Sequence, residues 1–105
     1  MTEPTAIYIA GPMTGLPDHN YPAFHAAARQ LAAQYPDATI LNPAGNFGGR
    51  TDLPWTDYMR AAITQMMQAD MVCMLPGWDR SRGAAIEHRL AFDLEMPIMY
   101  QENRD

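Results

Sequence analysis

The sequence predicts an α/β fold in which a parallel sheet of about four or five strands is flanked by helices. Four short apolar runs are separated by segments whose apolar residues recur at helical spacing. Strand and helix therefore alternate along the whole chain, and right-handed crossovers between such strands produce a parallel sheet covered by helices. A length of 105 residues fits one domain, residues 1–105, with a core of its own.

The predicted strands are short apolar runs that are bounded by residues typical of turns. They cover residues 5–10, 38–41, 71–75 and 98–100. Gly11-Pro12 follows the first run, Asn42-Pro43 the second and Pro76-Gly77 the third. The first strand is expected to lie centrally, because its run is apolar on both faces.

Three amphipathic helices are predicted between these strands. The first begins after Asn20 and ends near Tyr35, and the second covers about residues 57–69 with Thr56 as its cap. The apolar side of the second helix consists of Met59, Ala62, Ile63 and Met66. The third starts near Gly83 and ends before Pro97. Residues 42–54 form a longer irregular connection, of the kind that often serves as a lid or a substrate wall.

Composition excludes several classes of function. Seven arginines, no lysine and twelve acids give a net charge of −5, which argues against binding a nucleic-acid polymer through a basic surface. No apolar run is long enough to span a membrane. The start of the chain lacks the basic segment of a signal peptide, so a cytoplasmic location is expected. The single cysteine, Cys73, is interpreted as a packing residue within a strand.

Glu87 is the unusual residue of the third helix. On a helical wheel it falls inside the apolar arc formed by Ile86, Leu90, Ala91 and Leu94. A carboxylate in that position either pairs with an arginine or faces a cleft with a raised pKa. If ionised, it is suited to attack an anomeric carbon, because the transition state of that reaction resembles an oxocarbenium ion.

Ligands of open parallel sheets bind at the carboxyl ends of the strands, where two connecting segments are expected to meet. One is residues 11–15 and the other is residues 76–83. Ser81 and Gly83 can offer a hydroxyl and backbone amides to a phosphate. Ser81 is also a good helix cap, and the glycines at 11 and 15 can serve the turn alone. His19, His25 and His88 lack a metal-ligand spacing, so neither a metal nor a cofactor is predicted.

Taken together, these motifs resemble the nucleoside 2-deoxyribosyltransferase-like superfamily over nearly the entire chain. The shared features are residues 7–13, Ala69-Asp70, and residues 81–83 with Glu87 four residues after the glycine. A branch of small bacterial and phage proteins near the nucleotide N-glycosidases also shares residues 21–24, 57–60 and 75–78. The resemblance implies a compact Rossmann-like (flavodoxin-like) sheet and a homodimer or larger homo-oligomer.

The resemblance also implies roles for individual residues. Glu87 would be the nucleophile, with Tyr8 orienting it or the sugar. The implied substrate-binding residues are Gly11, Pro12, Met13, Asp57, Trp78, Ser81 and Gly83, of which Ser81 and Gly83 would hold a 5′-phosphate. The expected reaction is hydrolysis or transfer at the N-glycosidic bond of a nucleoside or nucleoside monophosphate, without a metal or organic cofactor.

Two departures from the superfamily pattern keep alternatives open. The superfamily usually has an acid eight residues before the aspartate that corresponds to Asp70, and this chain has Ala62 there. Thr14 stands where nucleotide hydrolases often have an arginine. One alternative to an enzyme is a nucleotide-binding or sensing module that has lost the chemistry, which Ala62 favours. Another is a homo-oligomeric structural protein with Trp55, Trp78 and Met-rich surfaces at its contacts.

Overall fold

A computed structural model describes residues 3–101, which form a four-stranded parallel sheet flanked by three α-helices. In chain order the elements are β1 (Ala6–Ala10), α1 (Tyr21–Gln34), β2 (Thr39–Leu41), α2 (Trp55–Met66), β3 (Met71–Met74), α3 (Arg82–Asp93) and β4 (Ile98–Tyr100). This architecture confirms the predicted α/β class and is consistent with a Rossmann-like, flavodoxin-like fold.

The strand order is β2-β1-β3-β4, and every neighbouring pair is parallel. The chain first crosses from β1 to β2 through α1, and then passes back over β1 to reach β3. The strand order therefore reverses between β1 and β3, whose carboxyl ends lie side by side in the register Ala10 to Met74. A reversal of this kind opens a crevice for ligands above the two strand ends.

Alternation along β1 and β3 divides the core into two layers. Ile7 and Ile9 face α1 and pack with buried residues such as Phe24 and Leu31. Tyr8 and Ala10 face the opposite layer, which contains buried residues of α2 and α3. Because side chains alternate between the faces of a strand, Tyr8 is directed towards the layer that contains α3.

Helix boundaries differ from the prediction at α2. The helix begins at Trp55, so Thr56 lies inside its first turn and is not the cap. Pro54 occupies the cap position, and its carbonyl accepts the first hydrogen bond, from the Asp57 amide at 3.0 Å. A proline with extended backbone can precede a helix in this way without a side-chain cap.

The face of α3 that is buried differs from the apolar face that the sequence predicts. The buried residues are Gly83, Ala84, Glu87 and Ala91, whereas Ile86 is 40% exposed and Leu94 is 52% exposed. Leu94 follows the last residue of the helix, and Ile86 lies on the side away from the sheet. The arc that faces the sheet is therefore centred on small residues, and Glu87 lies within it.

No helix in the described part of the chain is long and apolar enough to cross a membrane.

Candidate functional site

A cavity lies beside the carboxyl end of β1, among residues of the loops that follow β1, β2 and β3. Its empty space measures about 560 Å³ with the open mouth and its solvent included. Tyr8 of β1 and Glu87 of α3 form part of its wall, together with the starts of α2 and α3 and parts of two loops. Glycine, alanine and aromatic residues make up most of the remaining surface.

Glu87 and Tyr8 form a buried pair in this wall. The Tyr8 hydroxyl donates a hydrogen bond to Oε2 of Glu87. Only 1% of Tyr8 and 4% of Glu87 is exposed, and Glu87 is the one charged residue in the buried core of residues 3–101. The geometry follows from alternation along β1 and from the position of Glu87 in the second turn of α3, on the face that contacts the sheet.

Burial raises the pKa of Glu87 from its ordinary value of 4.5 to about 7, and the hydrogen bond from Tyr8 opposes this rise. The pKa of Tyr8 lies well above its ordinary value, first because of burial and then because of the neighbouring Glu87 charge. Tyr8 therefore remains a hydrogen-bond donor at neutral pH, while Glu87 exists there in both protonated and ionised forms. The ionised form is a carboxylate oriented by one hydrogen bond and poorly hydrated, which suits a nucleophile.

Six of the predicted site residues line the cavity. They are Tyr8, Gly11, Met13, Ser81, Gly83 and Glu87.

Ser81 caps α3, because its Oγ accepts a hydrogen bond from the Ala84 amide at 3.3 Å. The two glycines permit close packing around the cavity. A Cβ on Gly11 would lie 2.8 Å from Cβ of Leu75, and one on Gly83 would lie 2.8 Å from Sδ of Met59. A structural role for both glycines follows directly from these distances.

Three predicted substrate-binding residues do not line the cavity. Pro12 lines a neighbouring groove together with Thr14 and Ser81. The Pro12 carbonyl oxygen accepts a hydrogen bond from Nδ2 of Asn20. Asp57 is exposed in the first turn of α2. Trp78 stacks on His88, with ring centroids 4.0 Å apart, and belongs to the packing around α3.

Sequence reasoning did not select five polar or aromatic residues of the cavity wall. These are His19, Asn46, Phe47, Trp55 and Tyr58. Asn46 and Phe47 belong to the irregular connection at residues 42–54, so the length of that loop was the available signal. Trp55 and Tyr58 lie one helical turn apart at the start of α2, and both line the cavity.

The loop at residues 42–54 is attached to the wall through the carbonyl oxygen of Arg50. This oxygen accepts hydrogen bonds from the hydroxyls of Tyr21 at 2.9 Å and Tyr58 at 3.0 Å. Tyr58 also accepts a hydrogen bond from the Leu53 amide and contacts the ring of Phe47 edge to face. The loop is thus fixed over the cavity by residues of both α1 and α2.

Ala62 also lies in the wall of the cavity and is nearly buried. Glu87 is the only acidic residue among the described residues that line this space. Whatever chemistry the cavity performs has one carboxylate available to it. Within residues 3–101, no group of three histidine, cysteine or acidic side chains is arranged to hold a metal ion.

Two further residues of the sequence analysis have structural roles. The Asp70 carboxylate accepts hydrogen bonds from the backbone amides of Thr5 and Ala6, which lower its pKa and connect the start of β3 to the start of β1. Cys73 is buried within β3, and burial raises the pKa of its thiol to about 11. A protonated thiol in the core agrees with the interpretation of Cys73 as a packing residue.

Comparison with protein families identifies one match. A family described as "Domain of unknown function (DUF4406)" matches residues 5–100, and the chain belongs to that family. A search of curated proteins gives no match.

Proposed function

We propose that this DUF4406 protein cleaves or transfers at the N-glycosidic bond of a nucleoside or nucleoside 5′-monophosphate, with Glu87 as the nucleophile. The observation that carries the proposal is the buried pair of Glu87 and Tyr8 in the wall of a cavity. The resemblance of the motifs to the nucleoside 2-deoxyribosyltransferase-like superfamily supports the same reaction.

In the proposed reaction, ionised Glu87 attacks C1′ of the sugar and the bond between C1′ and the base nitrogen breaks. The resulting glycosyl ester is then attacked at C1′ by water or by a second base, which regenerates the carboxylate. Tyr8 holds Glu87 in one orientation by donating to Oε2. The aromatic side chains of Phe47, Trp55 and Tyr58 offer flat apolar surfaces against which a base can pack.

The test is release of free base from a panel of nucleosides and nucleoside monophosphates, measured by chromatography with purified protein. Glu87→Gln keeps the shape of the side chain and an acceptor for Tyr8, but it removes the nucleophile, so release should fall at least about 10³-fold. Asp93→Asn is the matched control, because this exposed acid lies on the same helix outside the cavity. Equal release by wild type and Glu87→Gln would exclude Glu87 as the nucleophile.

A second candidate function is nucleotide binding without turnover, and Ala62 favours it. The position where the superfamily usually has an acid lies in the cavity wall and lacks any polar group here. This function predicts a nucleotide-dependent thermal shift or calorimetric signal without release of base from any member of the panel. Ala62→Asp would then be expected to yield detectable turnover.

A further inference from the structure

Departure of a neutral base from a sugar requires a proton as well as a nucleophile. When the bond between C1′ and nitrogen breaks, the electron pair moves onto the base, which becomes an anion unless an acid protonates it. General acid catalysis of this kind typically contributes about 10²- to 10⁴-fold in rate. The groups in the cavity that can donate a proton therefore limit which bases can leave.

The described wall of the cavity offers few such groups. Glu87 is its only acid and is used as the nucleophile, and the Tyr8 hydroxyl donates to Glu87. The Tyr58 hydroxyl donates to the Arg50 carbonyl oxygen and accepts from the Leu53 amide, at 3.0 Å in each case. Ala62 contributes only a methyl group to the wall.

His19 is the remaining titratable side chain in the wall. Its ring lies edge to face against Tyr21 and Tyr58, with centroids 5.6 and 5.7 Å away. The backbone from Asp18 to Asn20 is left-handed at all three residues. These ring contacts hold His19 at the edge of the cavity, where it is the one alternative proton donor in the described wall.

The same wall suits a ligand that carries positive charge on an aromatic ring. Phe47, Trp55 and Tyr58 contribute aromatic rings to one cavity, and ionised Glu87 contributes a negative charge at its floor. The Arg82 guanidinium lies 4.1 Å from the ring centroid of Trp55 and occupies one face of that ring, so Phe47 and Tyr58 are the rings that a cationic base would contact. Aromatic faces and a poorly hydrated carboxylate both favour a cation over a neutral ligand.

We infer that the substrate is a nucleotide whose base already carries a positive charge on the ring that is bonded to C1′. Pyridinium bases and N7-alkylated purines belong to this class. This inference rests on the proposed function of Glu87. Attack of Glu87 on C1′ sends the bonding electron pair into the cationic ring, and the base leaves as a neutral molecule without a proton from the protein. Water then attacks C1′ of the glycosyl ester, which regenerates Glu87 and releases one proton to solvent.

The experiment compares guanosine 5′-monophosphate with two substrates whose base is cationic, one of which differs from it only by a methyl group on N7 and the positive charge that this group brings. Release of 7-methylguanine from 7-methylguanosine 5′-monophosphate is measured beside release of guanine from guanosine 5′-monophosphate, with nicotinamide mononucleotide as the pyridinium probe. The rate with Glu87→Gln is subtracted as background for each substrate. We expect kcat/KM for both cationic substrates to exceed that for guanosine 5′-monophosphate by at least about 100-fold, the contribution of the absent acid.

Release of guanine within about 10-fold of 7-methylguanine would overturn the inference and leave the proposed function standing. Absence of base release from all three substrates and from the wider nucleoside panel would overturn both together.

The variant His19→Asn tests whether His19 protonates the leaving base. If His19 has no role as an acid, the variant changes kcat/KM for the charged and uncharged substrates by the same factor. If His19 protonates the leaving base, the variant loses guanine release selectively while release of 7-methylguanine persists, and the inference is then wrong. The ratio between the two substrates separates these outcomes from a general loss of structure, which would lower both rates.

Discussion

Replacing Glu87 with glutamine should change how the stability of the protein depends on pH. Burial raises the pKa of this carboxyl from 4.5 to about 7, and each pKa unit corresponds to about 1.4 kcal/mol. Ionised Glu87 therefore destabilises the native state by about 3 kcal/mol relative to the protonated form. A neutral glutamine of the same shape avoids this cost and still accepts a hydrogen bond from Tyr8.

The sign follows from proton binding. Between about pH 4.5 and 7 the native protein retains the proton that the unfolded chain has already released, so the free energy of unfolding falls as pH rises. The stabilising effect of protonated Glu87 is fully present below about pH 4.5 and is lost above about pH 7. The free energy of unfolding of Glu87→Gln minus that of wild type should therefore increase by about 3 kcal/mol between pH 4 and pH 8.

Urea unfolding of the two proteins at a series of pH values measures this difference, and the subtraction cancels every other group that titrates in both chains. Tyr8→Phe gives an internal control, because loss of the hydrogen bond that lowers the pKa of Glu87 should move the decline in stability to higher pH. That displacement should vanish when Tyr8→Phe is combined with Glu87→Gln. A difference between wild type and Glu87→Gln that stays constant within about 0.5 kcal/mol from pH 4 to 8 would refute the reasoning.

Three other measurements follow from the same site. Base release should increase with pH through about 7, because the proposed nucleophile is the ionised form of Glu87; a pH-independent kcat/KM between 5.5 and 8 would contradict this. Gly11→Ala should lower the free energy of unfolding by about 1–3 kcal/mol, since its Cβ would lie 2.8 Å from Cβ of Leu75. Gly45→Ala, with no atom near the added Cβ, is the matched control and should change stability little. Ser81→Ala should cost about 1 kcal/mol in urea unfolding through loss of the α3 cap, and an unchanged midpoint would rule out that contribution.

The strands and the central carboxylate could be predicted because their signals are local. Residues 71–75 form an apolar run that is short enough to favour a strand, and Glu87 conflicts with the apolar arc of its own helix. The direction of Tyr8 towards α3 required the order β2-β1-β3-β4, which sets the face of β1 that α3 covers. Periodicity carries no information about that order.

The aromatic wall of the cavity could not be predicted for a different reason. Phe47 reaches it through a loop whose course depends on hydrogen bonds from Tyr21 and Tyr58 to a single backbone carbonyl, and no sequence pattern encodes such contacts. The error at Thr56 has a similar origin. A threonine is a good cap by propensity, but Pro54 already provides the extended residue and the carbonyl that begin α2.

The alanine at position 62, where the superfamily usually has an acid, affects the pKa of Glu87. Two carboxylates around one small cavity would repel each other, and the second would raise the pKa of Glu87 beyond the effect of burial. With Ala62 in the wall, burial raises that pKa to about 7 against the opposing effect of the hydrogen bond from Tyr8, so a substantial fraction of Glu87 is ionised at neutral pH. In the proposed reaction, the described wall of the cavity therefore has no second carboxylic acid to protonate a leaving base, and Glu87 remains available as the nucleophile. These two effects favour the same substrates, because a base that already carries positive charge needs no proton and is attracted by the ionised carboxylate.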